Sequence, residues 1–154
     1  GIVYGTKMKE ARIADDLDIF LHDARARGLE FSIVSHKTLF PAKGPQVNLH
    51  DAAWQWLDHK GFFNPDTYGF SRRHVFFEPE RSFKLERIAK EYCRVFIDDL
   101  PEVLEEENFP SETQRILYDP ASQHAPIPGV LTCSSWMEIG KILHDHGLEH
   151  RSAS

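Results

Sequence analysis

The sequence predicts an α/β protein built on a doubly wound, mostly parallel β-sheet. Short apolar runs alternate along the 154 residues with segments of about 10 to 15 residues whose apolar positions recur at helical spacing. One run, residues 95–97, is apolar throughout, which is typical of a strand buried on both faces of a parallel sheet. A chain of this length can bury a substantial core. Because α/β sheets bind ligands at the carboxyl ends of their strands, we expect a functional site there.

The helices are predicted from apolar residues that repeat on one helical face. In the first helix, Leu17, Phe20 and Leu21 share a face, and Gly28 supplies the stop. Pro101 is typical of a helix start and predicts a further short, acidic helix. The longer predicted helices cover about residues 15–27, 49–60, 82–92 and 135–146.

The strands are predicted from short apolar runs bounded by polar or turn residues. They cover about residues 31–34, 74–78, 95–97, 115–119 and 130–132. Each strand is followed by a helix or a connecting segment, so the strands are expected to run parallel.

The composition disfavours several classes of function. The 18 basic and 24 acidic residues give a net charge of −6 and include no basic tract, so we expect no binding to nucleic acid or to an anionic membrane. No apolar run reaches the ~20 residues of a membrane span. Cys93 and Cys133 each adjoin a predicted strand, as small buried hydrophobes do in a reducing compartment. The sequence therefore predicts a cytoplasmic protein.

Two adjacent carboxylates, Asp98 and Asp99, follow the apolar run at 95–97. Side by side at a strand end they repel each other unless a cation or a group of donors neutralises them. A hard divalent cation such as Mg²⁺ prefers such oxygen ligands. The alternative is that an aspartate caps the helix opened by Pro101, although one aspartate would be enough for that cap. Both interpretations stay open from these residues alone.

Two other polar residues are expected near the same edge of the sheet. Ser35 follows the strand at 31–34, and Lys84 lies on the helix before the Asp98 strand. A hydroxyl, an ammonium group and paired carboxylates are the groups that a site for phosphate and Mg²⁺ requires. Taken singly, Ser35 is explained by a turn and Lys84 by an exposed helix face. Their order along the chain favours the combined site.

Three segments, in the same order along the chain, resemble motifs of the haloacid dehalogenase-like phosphohydrolase superfamily. Its second motif is an apolar strand ending in Ser or Thr, as at Ser35. Its third is a lysine on the helix before the last motif strand, as at Lys84. Its fourth is an apolar strand ending in paired acids, as at Asp98 and Asp99. The resemblance covers about residues 15–146, and the chain looks like an uncharacterised bacterial branch of the superfamily.

The resemblance implies a Mg²⁺-dependent phosphatase, a hydrolase acting on a small phosphorylated metabolite. The catalytic set would be Lys84, Asp98 and Asp99, with the two aspartates holding Mg²⁺ directly or through water. The phosphate- and substrate-binding residues would be Ser35, His36, Lys37 and Lys84.

The first motif of the superfamily, a strand that ends in Asp-x-Asp, is missing from the sequence. Its first aspartate attacks phosphorus and its second acts as general acid and base. The segment Asp16-Leu17-Asp18 has the spacing but lies in a predicted helix, where acids near the N-terminus favour the macrodipole. The superfamily places this strand at the centre of the sheet, so its absence would leave a slot of about 10 Å at ~4.8 Å per strand.

We expect truncation to explain the missing strand, so that the chain is the C-terminal portion of a longer phosphatase. Two alternatives stay open: residues 2–4 fill the slot, giving a pseudoenzyme with Gly5 and Thr6 at the tip, or the sheet rearranges in an intertwined dimer. The expected organisation is a cap or linker remnant at 1–14, a Rossmann-like core at 15–148 and a disordered tail at 149–154.

Two classes of function follow from these expectations. The first is a phosphatase domain that is inactive as this chain because its nucleophile is absent, and that a complementing polypeptide or a homodimer would complete. The second is a non-catalytic module that binds a phosphorylated ligand or a partner protein. A response-regulator-like domain is disfavoured, because its paired acids should end the first strand of the domain.

Overall fold

The computed structural model describes residues 2–5, 15–36, 49–78 and 81–145. The side chains of residues 2–5, 15, 35, 36, 49, 50 and 81 lie outside this description.

The described residues contain the strands β1 (Ile2–Gly5), β2 (Phe31–His36), β3 (Val75–Glu78), β4 (Val95–Asp98), β5 (Gln114–Tyr118) and β6 (Val130–Cys133). These six strands are parallel and form one sheet, in the order β3-β2-β1-β4-β5-β6. Strand β1 lies inside the sheet, with β2 and β3 on one side of it and β4, β5 and β6 on the other. The predicted α/β class is confirmed.

Crossover connections join the parallel strands, and each of them except the β5–β6 connection contains a helix. The helices are α1 (Asp15–Ala26), α2 (Leu49–His59), α3 (Arg81–Lys90), α4 (Pro101–Leu104) and α5 (Trp136–Asp145), with a single 3₁₀ turn at Arg72–His74 before β3. The ends of α1, α2, α3 and α5 lie within two residues of the predicted ends, and α4 begins at Pro101 as predicted. No helix in the described ranges is long and apolar enough to cross a membrane.

The core consists of two layers, one on each face of the sheet. One layer packs Leu17 and Phe20 of α1, Leu57 of α2 and Trp136 of α5 against alternate strand residues such as Ile97. The other layer packs α3 and α4 against the opposite face, and its buried residues include Val34, Leu85, Ile88, Phe96, Val103, Leu104 and Leu117. Helices therefore cover both faces, which explains why β4 is fully buried.

The centre of the sheet is occupied, and here the expectation of a missing strand is wrong. Strand β1 pairs with β2 on one side and with β4 on the other; Ile2 is in register with Phe31 and Val95, and Gly5 with Asp98. Residues 2–5 thus fill the slot, as one of the alternatives proposed. Residues 6–14 and 149–154 lie outside the described residues, and the division into cap remnant, core and tail stays a prediction, as does truncation.

The Asp16-Leu17-Asp18 segment lies in α1, as the helical pattern predicts, and both acids have structural partners. Asp16 Oδ2 accepts a hydrogen bond of 2.8 Å from the backbone N–H of Trp136, the first residue of α5. Asp18 accepts a hydrogen bond from the Tyr68 hydroxyl. The segment therefore joins α1 to its neighbours, and its position in a helix separates it from the strand-end context of the superfamily's first motif.

Candidate functional site

The strand ends bring the predicted site residues to one edge of the sheet. Gly5, at the end of β1, is in register with Asp98, at the end of β4, and Asp98 is in register with Leu117 of β5. On the other side of β1, strand β2 continues to His36, past Ile33, which pairs with Tyr4. The carboxyl edge of β1 and β4 is therefore flanked by the end of β2 and by the loop that follows β5.

Lys84 and Asp98 form a buried ion pair beneath this edge. Lys84 Nζ lies 2.7 Å from Asp98 Oδ2, and the two side chains are 3% and 1% exposed. The ammonium group also lies 5.4 Å from the centre of the Phe96 ring. Asp98 Oδ1 accepts a 3.0 Å hydrogen bond from the backbone N–H of Leu100. Both oxygens of Asp98 thus have a donor.

Burial changes the acidity of Asp98 in spite of its partner. The loss of water around the side chain raises the pKa of Asp98 to about 6, although the Lys84 charge and the hydrogen bonds from Lys84 and Leu100 lower it. The negative charge of Asp99 raises it further. Desolvation therefore outweighs the favourable partners, as is common for a carboxylate removed from water.

Asp99 has a different environment from Asp98. Val95 and Ile97 of β4 belong to the α1–α2–α5 layer, whereas Phe96 belongs to the α3–α4 layer with Lys84, the partner of Asp98. Asp99 comes directly after the end of β4, and continued alternation of the side chains would place it with the first set. Burial raises the pKa of Tyr118, the charges of Asp16 and Asp99 raise it further, and a hydrogen bond from Trp136 lowers it. The side chains of Asp98 and Asp99 therefore lie on opposite faces of the sheet.

One oxygen of Asp99 lacks a hydrogen-bond partner in the part of the chain that the structure describes. Asp99 Oδ1 is buried and has no hydrogen-bond partner among the described residues. Capping does not account for it, because α4 starts at Pro101 and the N-cap position is Leu100. A buried carboxylate oxygen without a donor is costly, and a hard cation that accepts oxygen ligands would satisfy it. Asp99 therefore fits Mg²⁺ better than Asp98 does.

A Mg²⁺ ion at Asp99 would need further oxygen ligands from outside the described side chains. No group of three or more His, Cys, Asp or Glu side chains that could hold a metal is found within the described part of the chain. Mg²⁺ commonly keeps several waters and binds through one or two carboxylates together with substrate phosphate oxygens. A single carboxylate oxygen is thus compatible with a cation that binds jointly with a phosphorylated ligand.

The structure places only part of the predicted phosphate-binding set. Ser35 and His36 are the last two residues of β2, at the expected edge, but their side chains lie outside the described residues. Lys37 also lies outside them. Lys84 is the one predicted member whose side chain is described, and it contacts Asp98.

Sequence reasoning missed the loop that follows β5. The Asp119 side chain is buried and accepts hydrogen bonds of 3.1 Å from the backbone N–H groups of Gln123 and His124. These bonds shape a tight turn in which Ser122 has a φ of 51°. Because β5 neighbours β4, this turn and Tyr118 lie beside Asp99. The predicted strand at 115–119 ends at this same edge, so the sequence could have indicated Tyr118 and Asp119 as residues near the site.

Comparison with known protein families and curated proteins identifies no relative of this chain. No protein-family model matches the chain, and no curated protein matches it. The resemblance to the haloacid dehalogenase-like superfamily is carried by Ser35, Lys84, Asp98 and Asp99 and stays a prediction.

Proposed function

We propose that this chain binds a small phosphorylated metabolite together with Mg²⁺ at the carboxyl edge of β1 and β4, as a phosphatase-like domain of the haloacid dehalogenase type. The observation that carries the proposal is the buried Lys84–Asp98 pair next to Asp99, whose Oδ1 has no hydrogen-bond donor among the described residues. A cation and an unsatisfied carboxylate oxygen at one strand end suit a phosphate and a metal ion.

The strand order supports this location. In a doubly wound, Rossmann-like sheet the order is 3-2-1-4-5-6, and ligands bind where the chain changes direction between strands 1 and 4. The order β3-β2-β1-β4-β5-β6 puts that crevice at Gly5 and Asp98, which are register partners. The proposed site and the crevice expected from the topology therefore coincide.

Each residue of the pair of acids has a separate role in this proposal. Asp99 contributes its free oxygen to Mg²⁺, which would neutralise charge on the phosphoryl oxygens when bound. Asp98 fixes the Lys84 ammonium group through the 2.7 Å contact and so holds a positive charge close to the phosphate position. Ser35 would donate its hydroxyl to the phosphoryl group. His36 and Lys37 would contact the rest of the metabolite from the end of β2.

We expect binding without hydrolysis from this chain. Strand β1, which occupies the position of the superfamily's nucleophile strand, reads Ile-Val-Tyr-Gly and contains no carboxylate. Asp16 and Asp18 lie on α1 and accept hydrogen bonds from Trp136 and Tyr68. The non-catalytic form of the proposal, a module that binds a phosphorylated ligand, is therefore favoured over an active phosphatase.

A complementing polypeptide would have to compete with β1. Both edges of β1 are already paired, with β2 and with β4. A second chain that carries an Asp-x-Asp strand could complete the site only by displacing residues 2–5 from the centre of the sheet. Completion of this kind is the route by which the chain would become a phosphatase. Exchange of β1 within a homodimer would supply the same strand, which has no carboxylate.

Isothermal titration calorimetry with Mg²⁺ alone, and then with inorganic phosphate in the presence of Mg²⁺, tests the proposal. We expect phosphate to bind more tightly when Mg²⁺ is present, because the ion supplies the charge that Lys84 alone cannot. Hydrolysis of p-nitrophenyl phosphate should stay at the rate of the buffer. Absence of binding of both ions contradicts the proposed site, whereas Mg²⁺-dependent hydrolysis contradicts the non-catalytic form.

A further inference from the structure

A cavity of about 230 Å³ lies at the opposite edge of the sheet from the proposed phosphate site. It opens between the end of α1, the first residue of β2 and the segment that leads to β3. Its lining combines the aromatic residues Phe31, Tyr68 and Phe70 with the charged residues Arg25 and Glu30. Ligand pockets typically have such mainly apolar walls with a few polar groups, and this volume suits a small ligand.

Aromatic rings form the walls of this amino-edge cavity. The Phe31 and Phe70 ring centres are 5.9 Å apart. Phe70 packs in turn on Phe62, and Phe62 on Tyr68, with ring centres separated by 5.4 and 5.1 Å. Tyr68 is almost fully buried. The rings therefore support one another, and the wall is part of the packed core.

Arg25 is held at the cavity by the loop that carries Gly69. Arg25 Nη1 donates a 3.1 Å hydrogen bond to the Thr67 carbonyl oxygen. Gly69 has a φ of +65°, and a Cβ at this position would lie 2.6 Å from the Arg25 guanidinium carbon. The guanidinium group thus lies directly on a backbone position that only glycine fits. One of its five N–H groups is used in the bond to Thr67, and a guanidinium group has no acceptor of its own.

The cavity also presents an opposite charge that does not neutralise Arg25. Glu30 lines the same cavity and is exposed, and no ion pair joins it to Arg25 in this described region. By contrast, Arg27, two residues from Arg25, is paired with Asp23 at 3.1 Å. An available cation and an available anion around aromatic walls match a ligand that carries both charges.

We propose that the amino-edge cavity binds a small zwitterion with an aromatic body, the chemistry of a free aromatic amino acid. The ligand carboxylate pairs with the Arg25 guanidinium group, the ligand ammonium group pairs with Glu30, and the ring packs on Phe31 and Phe70. Planar two-point pairing is what a guanidinium group offers a carboxylate. This site is independent of the proposed phosphate site.

The test is a titration of the ¹⁵N-labelled chain with L-phenylalanine, followed by amide chemical shifts. We expect shifts centred on residues 69–71 and a dissociation constant in the low-millimolar range, as a ligand of about twelve heavy atoms gives at ordinary efficiency. 3-Phenylpropionate lacks the ammonium group and 2-phenylethylamine lacks the carboxylate. Each should bind about two- to fivefold more weakly, because each gives up one of the two exposed ion pairs.

Two variants and a matched control complete the experiment. Arg25→Gln and Glu30→Gln should each weaken L-phenylalanine binding about two- to fivefold. Arg27→Gln removes the same charge two residues further along the chain, just after α1, at a residue that does not line the cavity. This variant should bind as the wild type does. Glu30 is exposed, so its variant is expected to fold even if Arg25→Gln disturbs the Thr67 contact. Absence of shifts with L-phenylalanine, or equal binding of all three compounds, overturns the proposal.

Discussion

At the scale of single residues, the Lys84–Asp98 pair is both costly and indispensable. Two charges removed from water repay their desolvation only through each other and through further hydrogen bonds. Asp98 has such a bond, from the Leu100 N–H, and Lys84 lies near the Phe96 ring. Removal of one partner therefore leaves an isolated charge in the core of the α3–α4 layer.

We predict that Lys84→Met lowers the free energy of unfolding by about 3–5 kcal/mol, the cost of a buried charge without its partner. The double variant Lys84→Met/Asp98→Asn should recover most of this loss, because Asn keeps an acceptor for the Leu100 N–H. Urea denaturation measures both effects.

Arg27→Met is the matched control for this prediction. It breaks the Arg27–Asp23 pair, which is partly exposed at 27% and 51%, and should cost less than about 1 kcal/mol. If Lys84→Met and Arg27→Met lowered the free energy of unfolding equally, burial of the Lys84–Asp98 pair would make no difference to its contribution to stability.

The acidity of Asp98 predicts how the stability depends on pH. Burial raises its pKa to about 6, above the ordinary ~3.9, so the folded chain holds a proton at Asp98 more tightly than the unfolded chain does. The contribution of Asp98 to stability is therefore full below about pH 4 and falls as the pH rises to about 6.

The contribution of Asp98 is isolated by the difference in unfolding free energy between the wild type and Asp98→Asn. This difference is measured from about pH 3.5 to about pH 7, which extends beyond the expected window on both sides. We expect the wild type to lose stability relative to the variant as the pH rises through this window. A difference that is constant, or that changes in the opposite direction, contradicts the assigned pKa shift.

At the scale of elements, β1 decides whether the sheet is continuous. Without it, the facing edges of β2 and β4 would leave backbone N–H and C=O groups unpaired in the interior. We predict that deletion of residues 1–5 abolishes cooperative thermal unfolding, as followed by circular dichroism. A deleted chain that melts as cooperatively as the full chain, at a similar temperature, would show that β1 is dispensable.

The sequence pattern was sufficient for most elements and insufficient for β1. Helices α1, α3 and α5 have clear apolar faces, and residues 95–97 form a continuous apolar run. Strand β1 has only Ile2, Val3 and Tyr4 before Gly5, which is too short for periodicity to decide. Its place in the sheet depends on pairing with residues about 30 and 90 positions away, which local patterns do not encode.

At the scale of the whole molecule, the two edges of the sheet have different chemistry. The carboxyl edge places Lys84, Asp98 and Asp99 at the crevice between β1 and β4, and the sequence indicated these three residues. Asp98 ends β4 and Asp99 directly follows it, so that continued alternation of side chains places the two acids on opposite faces of the sheet. The amino-edge cavity depends on the loop conformation around Gly69, which no sequence pattern specified.

The measurement that tests the central claim most directly is a calorimetric titration of Mg²⁺ into the wild type, Asp99→Asn and Asp145→Asn. Asp145 is an exposed aspartate at the end of α5 and serves as the matched control. We predict that Asp99→Asn binds Mg²⁺ at least about tenfold more weakly with an unchanged melting temperature, and that Asp145→Asn binds as the wild type does. Equal Mg²⁺ affinity in all three proteins, or unfolding of Asp99→Asn with its Mg²⁺ affinity retained, would contradict the assignment of Asp99 as the metal ligand.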